Sequence, residues 1–71
     1  MKIAIDYHIN AIRSEQKLSL RALSEKSGVS KSQIDDIENG IYHPTVYTLC
    51  LLSLALQVNP EKLFTLKIIE K

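Results

Sequence analysis

Residues 18–40 read LSLRALSEKSGVSKSQIDDIENG, and this stretch decides the fold. Ser30 and Gln33 form a capping-box pair, and Val29 and Ile34 occupy the positions of a hydrophobic staple, so a helix is predicted to start at Ser30. That helix buries Ile34 and Ile37 and turns Lys31, Ser32, Gln33, Asp35 and Asp36 outward. It is expected to stop at Asn39-Gly40, a left-handed C-terminal pair. Upstream, Ser19 has the short oxygen-bearing side chain of an N-cap, and Leu18 before it can pack on Leu23. This predicts a preceding helix that ends near Ser27, with Gly28 supplying the tight turn between the two.

Outside this stretch the punctuation is sparse, with further breakers only at Pro44 and Pro60. Ile5, Ile9 and Ile12 recur at helical spacing and predict a first helix reaching about Glu15. After a loop at residues 41–44, Thr45 can cap a fourth helix reaching about Gln57. Asn59 with Pro60 at a first helical position opens a short fifth helix, stapled by Val58 and Leu63. The expected architecture is an all-α, five-helix domain spanning residues 1–71, with its core in 5–64 and a tail at 65–71. The tail is rich in β-formers, Leu66, Ile68 and Ile69, and is predicted to pair with residues 1–5 as a small two-stranded ribbon.

Composition narrows the function classes. The 71 residues carry nine Lys and Arg against eight Asp and Glu, a formal charge of +1, with 45% hydrophobic residues, one cysteine and no tryptophan. A chain this small sits near the lower limit for one self-sufficient core and leaves little room for a large catalytic cleft. One cysteine excludes an internal disulfide framework, and no secretory leader pattern is seen, so a cytoplasmic location is expected. The longest apolar stretch, residues 49–56 broken by Ser53, is far short of the ~20 residues of a membrane span.

Two short helices joined by Gly28-Val29-Ser30 and followed by more helices have the spacing of a helix-turn-helix, which offers one helix to the DNA major groove. Residues 9–64, about four fifths of the 71, resemble the Cro and phage-repressor (lambda-repressor-like) helix-turn-helix family. The resemblance is carried by Ile12-Arg13, Leu18-Ser19, Leu23-Ser24-Glu25-Lys26, Gly28-Val29-Ser30, Ile34, Ile37-Glu38-Asn39-Gly40, Pro44-Thr45, Thr48-Leu49, Ala55-Leu56, Val58 and Leu63-Phe64. It implies a sequence-specific transcriptional regulator that binds double-stranded DNA, an inverted-repeat operator, as a homodimer in the manner of a repressor.

By the same resemblance Arg13 and Glu38 match a structural ion pair, and Ser19, Ser30 and Asn39 match positions that hold the DNA backbone. Each of the last three is a short polar side chain beside a helix end, where capping and phosphate contact can coexist. Arg21 nearby, with Tyr42 and His43 in the following loop, adds donors for phosphate. Base readout falls to Lys31, Ser32, Gln33 and Asp36: Lys31 can donate to guanine, Gln33 can bridge to adenine, and Asp36 can accept from cytosine.

Two departures from the family pattern stand out. At the start of the second helix, where the family often has a glutamine that grips a phosphate, stands Leu20. Between Ser30 and Asn39, Lys31 faces Asp35, Asp36 and Glu38, an acidic balance for a helix that approaches a polyanion. These features, with the +1 net charge, keep open a second reading: an antitoxin-like or regulatory interaction module with weak or no DNA binding. An enzyme is not expected, because nothing assembles a nucleophile, a base and an oxyanion site. Asp35 and Asp36 are sequence neighbours and point about 100° apart on a helix, so they form no acid-base couple. His8, His43 and Cys50 lack ligand spacing and are read as surface histidines and a packed thiol, so no metal, cofactor or small-molecule ligand is expected.

The fourth helix is apolar nearly all round. Its core positions are Leu49, Leu52, Ala55 and Leu56, yet Tyr47, Leu51 and Leu54 align on a face usually given to charges. Such a helix is covered on every side or meets another chain. One reading makes Tyr47, Leu51 and Leu54, with Leu63, Phe64, Leu66 and Ile68, a homodimer interface. In the other, Leu66, Ile68 and Ile69 fold back over that face within one chain.

Overall fold

The computed structural model describes residues 1–71, in the order β1 (Lys2–Tyr7), α1 (Ile9–Glu15), α2 (Leu20–Ser27), α3 (Lys31–Glu38), α4 (Val46–Leu56), a 3-10 turn (Pro60–Leu63) and β2 (Phe64–Glu70). The helix starts follow the local chemistry. Ser19, Ser30 and Thr45 hold extended backbone and accept from the backbone N–H three residues on, at 3.0, 3.2 and 3.2 Å. Each oxygen satisfies one of the donors that a helix N-terminus leaves without an internal partner.

Three helix ends share one device. Leu18 N–H donates to the Arg13 carbonyl, Ile41 N–H to Asp36 and Val58 N–H to Ser53, each with a shorter-range bond from the preceding residue, which is a Schellman closure. The left-handed residue in these closures is Lys17, Gly40 and Gln57 respectively, with φ of 58°, 73° and 58°. Only Gly40 adopts that conformation without steric cost.

Eight residues form the core: Ile9, Leu23, Val29, Ile34, Ile37, Leu52, Leu56 and Leu63. α2 packs on both α3 and α4, so the two helices of the turn motif are held by the same side chains. Leu49 and Ala55 pack on this cluster from the side of α4. Ser53 is also buried there, and its hydroxyl donates to the Cys50 carbonyl at 2.8 Å, which satisfies it within its own helix.

The helix count is corrected, to four α-helices and one turn of 3-10 helix in place of five helices, and the expected ribbon is present as a two-stranded antiparallel sheet. Residues 60–63 make a single turn because the chain is extended again at Phe64, where β2 begins. Ile5 belongs to β1 and not to the first helix, which starts only at Ile9. Period-two alternation of Ile3, Ile5 and Tyr7 wins there because β2 supplies a partner. The ribbon pairs Ile3 with Ile68, Ile5 with Leu66 and Tyr7 with Phe64, longer on the β1 side than the predicted residues 1–5.

Directly opposed residues share a face of a sheet. One face therefore carries Ile3, Ile5, Tyr7, Phe64, Leu66 and Ile68, all apolar or aromatic, and the other carries Ala4, Asp6, Thr65 and Lys67. Asp6 and Lys67 form an exposed ion pair at 3.6 Å on the polar face. At Lys2/Ile3 the register shifts, with Lys2 paired to Glu70 and Ile3 to Ile68, which leaves Ile69 as an extra residue.

Candidate nucleic-acid interface

The turn motif joins the end of α2 to the start of α3 through three residues, 28–30, with Gly28 at φ 78° opening the turn, and it presents two capped helix starts, at Ser19 before α2 and Ser30 before α3. Each serine oxygen accepts a backbone N–H, which leaves the hydroxyl hydrogen free to donate to an anionic oxygen. Capping and phosphate contact are chemically compatible at both. Arg21 is exposed and meets only Glu25, at 3.7 Å, a solvent-screened contact that a phosphate can displace. Leu20 is half-buried against the core, so the departure from the family pattern exchanges a polar contact for packing.

On α3, Lys31 and Ser32 are exposed, as is Asp35, while Gln33 and Asp36 are half-buried. Glu38 is withdrawn from that surface. The Arg13 guanidinium donates to both of its carboxylate oxygens, from Nε at 2.9 Å and Nη2 at 3.1 Å, and from Nη1 to the Leu18 carbonyl at 3.0 Å. The two side chains are 15% and 4% exposed. The hydrogen bond to Glu38 raises the Arg13 pKa above its ordinary value against the opposing effect of burial, so the pair is charged and fixed. The pair locks the end of α3 to the end of α1. It also leaves one positive group, Lys31, against Asp35 and Asp36 on the open face, a milder acidity than the sequence alone suggests.

Asn39 ends α3, and the backbone N–H groups of Ile41 and Tyr42 both donate to the Asp36 carbonyl, at 2.9 and 3.3 Å. Tyr42 and His43 are exposed beyond this closure. His43 is not a free side chain: its Nδ1 lies 2.9 Å from the Tyr7 hydroxyl, and the two rings sit 5.8 Å apart, tilted by 43°. Tyr7 received no role in the sequence reading. The contact joins positions 36 residues apart, and no local signal marks it. Likewise His8 Nε2 meets Thr65 Oγ1 at 2.6 Å, so the root of the ribbon is pinned on both sides.

The residues expected at a dimer contact divide. Tyr47 and Leu54 on α4 are 74% and 76% exposed, and Leu66 and Ile68 on β2 are 56% and 55% exposed. Phe64 is half-buried. Leu63 is fully buried in the core, because the 3-10 turn aims it inward, and it leaves the expected interface. Leu51 packs partly against the same core and does not share the exposure of Tyr47 and Leu54. The tail does not cover α4 either, since residues from Phe64 onward pair with β1 and leave Leu54 open. Cys50 is half-buried, and no three metal-ligating side chains gather anywhere in the chain. No helix is long and apolar enough to cross a membrane.

Residues 9–63 match the model of the helix-turn-helix (HTH_3) family. The immunity repressor protein of Bacillus phage phi105 is 38% identical over 56 residues, which cover 79% of this chain and 39% of that protein. The N-terminal DNA-binding domain of SinR from Bacillus subtilis superposes with a TM-score of 0.73 at 34% identity, covering 78% of this chain and 81% of that one. SinR, the master regulator for biofilm formation, in complex with DNA gives the same TM-score and identity over 76% of this chain and 87% of that one. The chain spans about two fifths of the length of the curated relatives it matches, 39% and 40%.

Proposed function

The chain belongs to the helix-turn-helix family of DNA-binding transcriptional regulators, and from that premise we propose that it is a repressor that binds an inverted-repeat operator as a homodimer, with α3 in the major groove. The observation that carries this reading is the pair of serine-capped helix starts beside an open α3 surface bearing Lys31, Ser32, Gln33 and Asp36. Those four side chains read bases. Ser19, Arg21, Ser30, Asn39, Tyr42 and His43 hold phosphates. The relative that carries the name immunity repressor supports repression, and the SinR complex supports DNA as the partner.

Dimerisation is supported by Tyr47, Leu54, Leu66 and Ile68, whose exposed apolar surface has no covering element in one chain, with half-buried Phe64 beside them. Two-fold symmetry makes such a patch self-complementary and places the two recognition helices about 34 Å apart, one turn of DNA. Selection of bound sequences from random duplex DNA by the purified protein tests the reading. An enriched inverted repeat with half-sites one turn apart is expected, and recovery of no common sequence overturns it.

Within such a site, Lys31→Ala is expected to cost about 1 to 3 kcal/mol and to relax preference at one base pair per half-site. A loss equal across all sequences would make Lys31 a phosphate contact. The rival interaction-module reading is favoured by one observation, the acidic exposed balance of Lys31 against Asp35 and Asp36. It requires that duplex DNA not be retained even at low salt, whereas phosphate-dominated binding is strong there and falls steeply as salt is added.

A further inference from the structure

The link between Tyr7 and His43 carries a consequence for the loop that follows α3, and it rests on the DNA-binding reading above. The Schellman closure holds that loop as far as the Tyr42 N–H. Past that point His43 and Pro44 make no backbone hydrogen bond, so the contact with Tyr7 is the one hydrogen bond on this stretch before the Thr45 cap. Tyr7 itself is fixed by position. It is the last residue of β1, pairs with Phe64, and is followed by His8, whose N–H donates to the Leu63 carbonyl at 2.8 Å. A hydroxyl on a paired strand therefore meets an exposed side chain that has no other hydrogen bond.

The tautomer of His43 in this contact decides which ring nitrogen presents a hydrogen outward. Burial raises the Tyr7 pKa above its ordinary value, so the phenol keeps its proton and has a hydrogen to give. A neutral imidazole has one N–H and one acceptor nitrogen. If Nδ1 accepts from Tyr7, the ring hydrogen must lie on Nε2, which has no partner in the protein. In the charged imidazolium both nitrogens carry hydrogen, and Nδ1–H then donates to the same phenol oxygen. Nε2 is a donor in both states.

We propose that Tyr7 is a positioning residue for DNA: through its hydroxyl it holds His43 with Nε2–H outward, as a donor to a backbone phosphate beyond the end of α3. The ribbon, which lies outside the residues matched to the family, thereby takes part in DNA binding without touching it. The opposite tautomer, with Nδ1–H donating to Tyr7, would turn an acceptor lone pair toward the phosphate and repel it.

Two measurements on the intact chain test this. The ring-nitrogen chemical shifts of His43 in the free protein report its tautomer. Nε2–H is expected in wild type, and a mixture is expected in Tyr7→Phe, which keeps the ring and removes the hydroxyl. Affinity for the selected duplex is then measured for Tyr7→Phe, His43→Ala and the double variant. Each single change is expected to weaken binding between about twofold and tenfold, the range of one hydrogen bond, and the double variant no more than His43→Ala alone. A Tyr7 that served only stability would lower the melting temperature and leave the affinity of the folded protein unchanged. An Nδ1–H tautomer in wild type, additive losses, or Tyr7→Phe binding like wild type would each overturn the proposal. Absence of duplex binding by wild type would instead overturn the repressor reading and the phosphate role with it, while the nitrogen shifts still decide whether Tyr7 fixes the ring.

Discussion

The helical body and the ribbon of this chain bury apolar side chains to very different extents. Ile9, Leu23, Ile34, Ile37, Leu52, Leu56 and Leu63 are fully buried, whereas Ile3, Leu66 and Ile68 on the ribbon keep about half of their surface in water. Both are built on the same principle of one apolar face. The helices find theirs covered by neighbouring helices, while the ribbon's apolar face meets the core only at its root, where Tyr7 and Phe64 pack against it. A two-stranded sheet is marginal by itself and gains stability from packing on something else. Stability therefore resides in the helical body, and the ribbon adds an apolar face that one chain leaves largely open.

The largest expected effect comes from equal truncations in the two regions. Ile34→Ala removes fully buried methyls and should cost about 2 to 5 kcal/mol, whereas Ile68→Ala should cost under ~1 kcal/mol in the monomer. Urea unfolding of both at low protein concentration compares them. Similar losses would mean that the ribbon is as integral as the core. The two ion pairs sharpen the same contrast. Glu38→Gln strands the mostly buried Arg13 and should cost about 3 kcal/mol, with the Arg13→Met/Glu38→Gln pair recovering part of it. Asp6→Asn in the exposed ribbon pair should cost under ~1 kcal/mol. If the Arg13 and Glu38 losses add without interaction, the pair is not structural.

Association is probed by Leu54→Lys with Leu66→Lys, which alters only exposed positions and should yield a folded monomer. Each side chain contributes at most about 1.5 to 3 kcal/mol on full burial, so dimer affinity should fall by orders of magnitude. Sedimentation of variant and wild type decides this: a wild type monomeric at high concentration, or a variant still dimeric, removes the proposed interface. The smallest effect lies at the left-handed helix ends. Gln57→Gly relieves a strained left-handed residue and should raise stability by up to about 1 kcal/mol, read as a higher melting temperature.

What could be read beforehand follows the range of each interaction. Caps at Ser19, Ser30 and Thr45 act over three residues, so their residue types announce them, and the helix boundaries of α2, α3 and α4 followed. Arg13 and Glu38 came from family resemblance, which encodes a contact that local spacing does not. At Ile5 two periods were satisfied at once, helical with Ile9 and Ile12 and alternating with Ile3 and Tyr7. A partner strand from the far end of the chain settled the choice. The expected place of Leu63 in a dimer contact is corrected for a related reason. An apolar side chain looks the same in sequence whether a core or a second copy covers it, and only packing shows that Leu63 points inward. Tyr7 with His43 and His8 with Thr65 lie beyond any local rule.

The pairing of Ile3 with Ile68 joins the two ends of the sequence, with every helix threaded between them. Closing so long a loop costs entropy that the contacts of the ribbon recover only afterwards, whereas α2 and α3 meet across a turn of three residues. The helices are therefore expected to assemble before the ribbon zips. Core substitutions such as Ile34→Ala should slow folding, and ribbon substitutions such as Ile68→Ala should mainly quicken unfolding. The apolar face built from residues 3–7 and 64–68 exists only when everything between them has folded, so a chain on which residues 64–68 have not yet been synthesised does not present it.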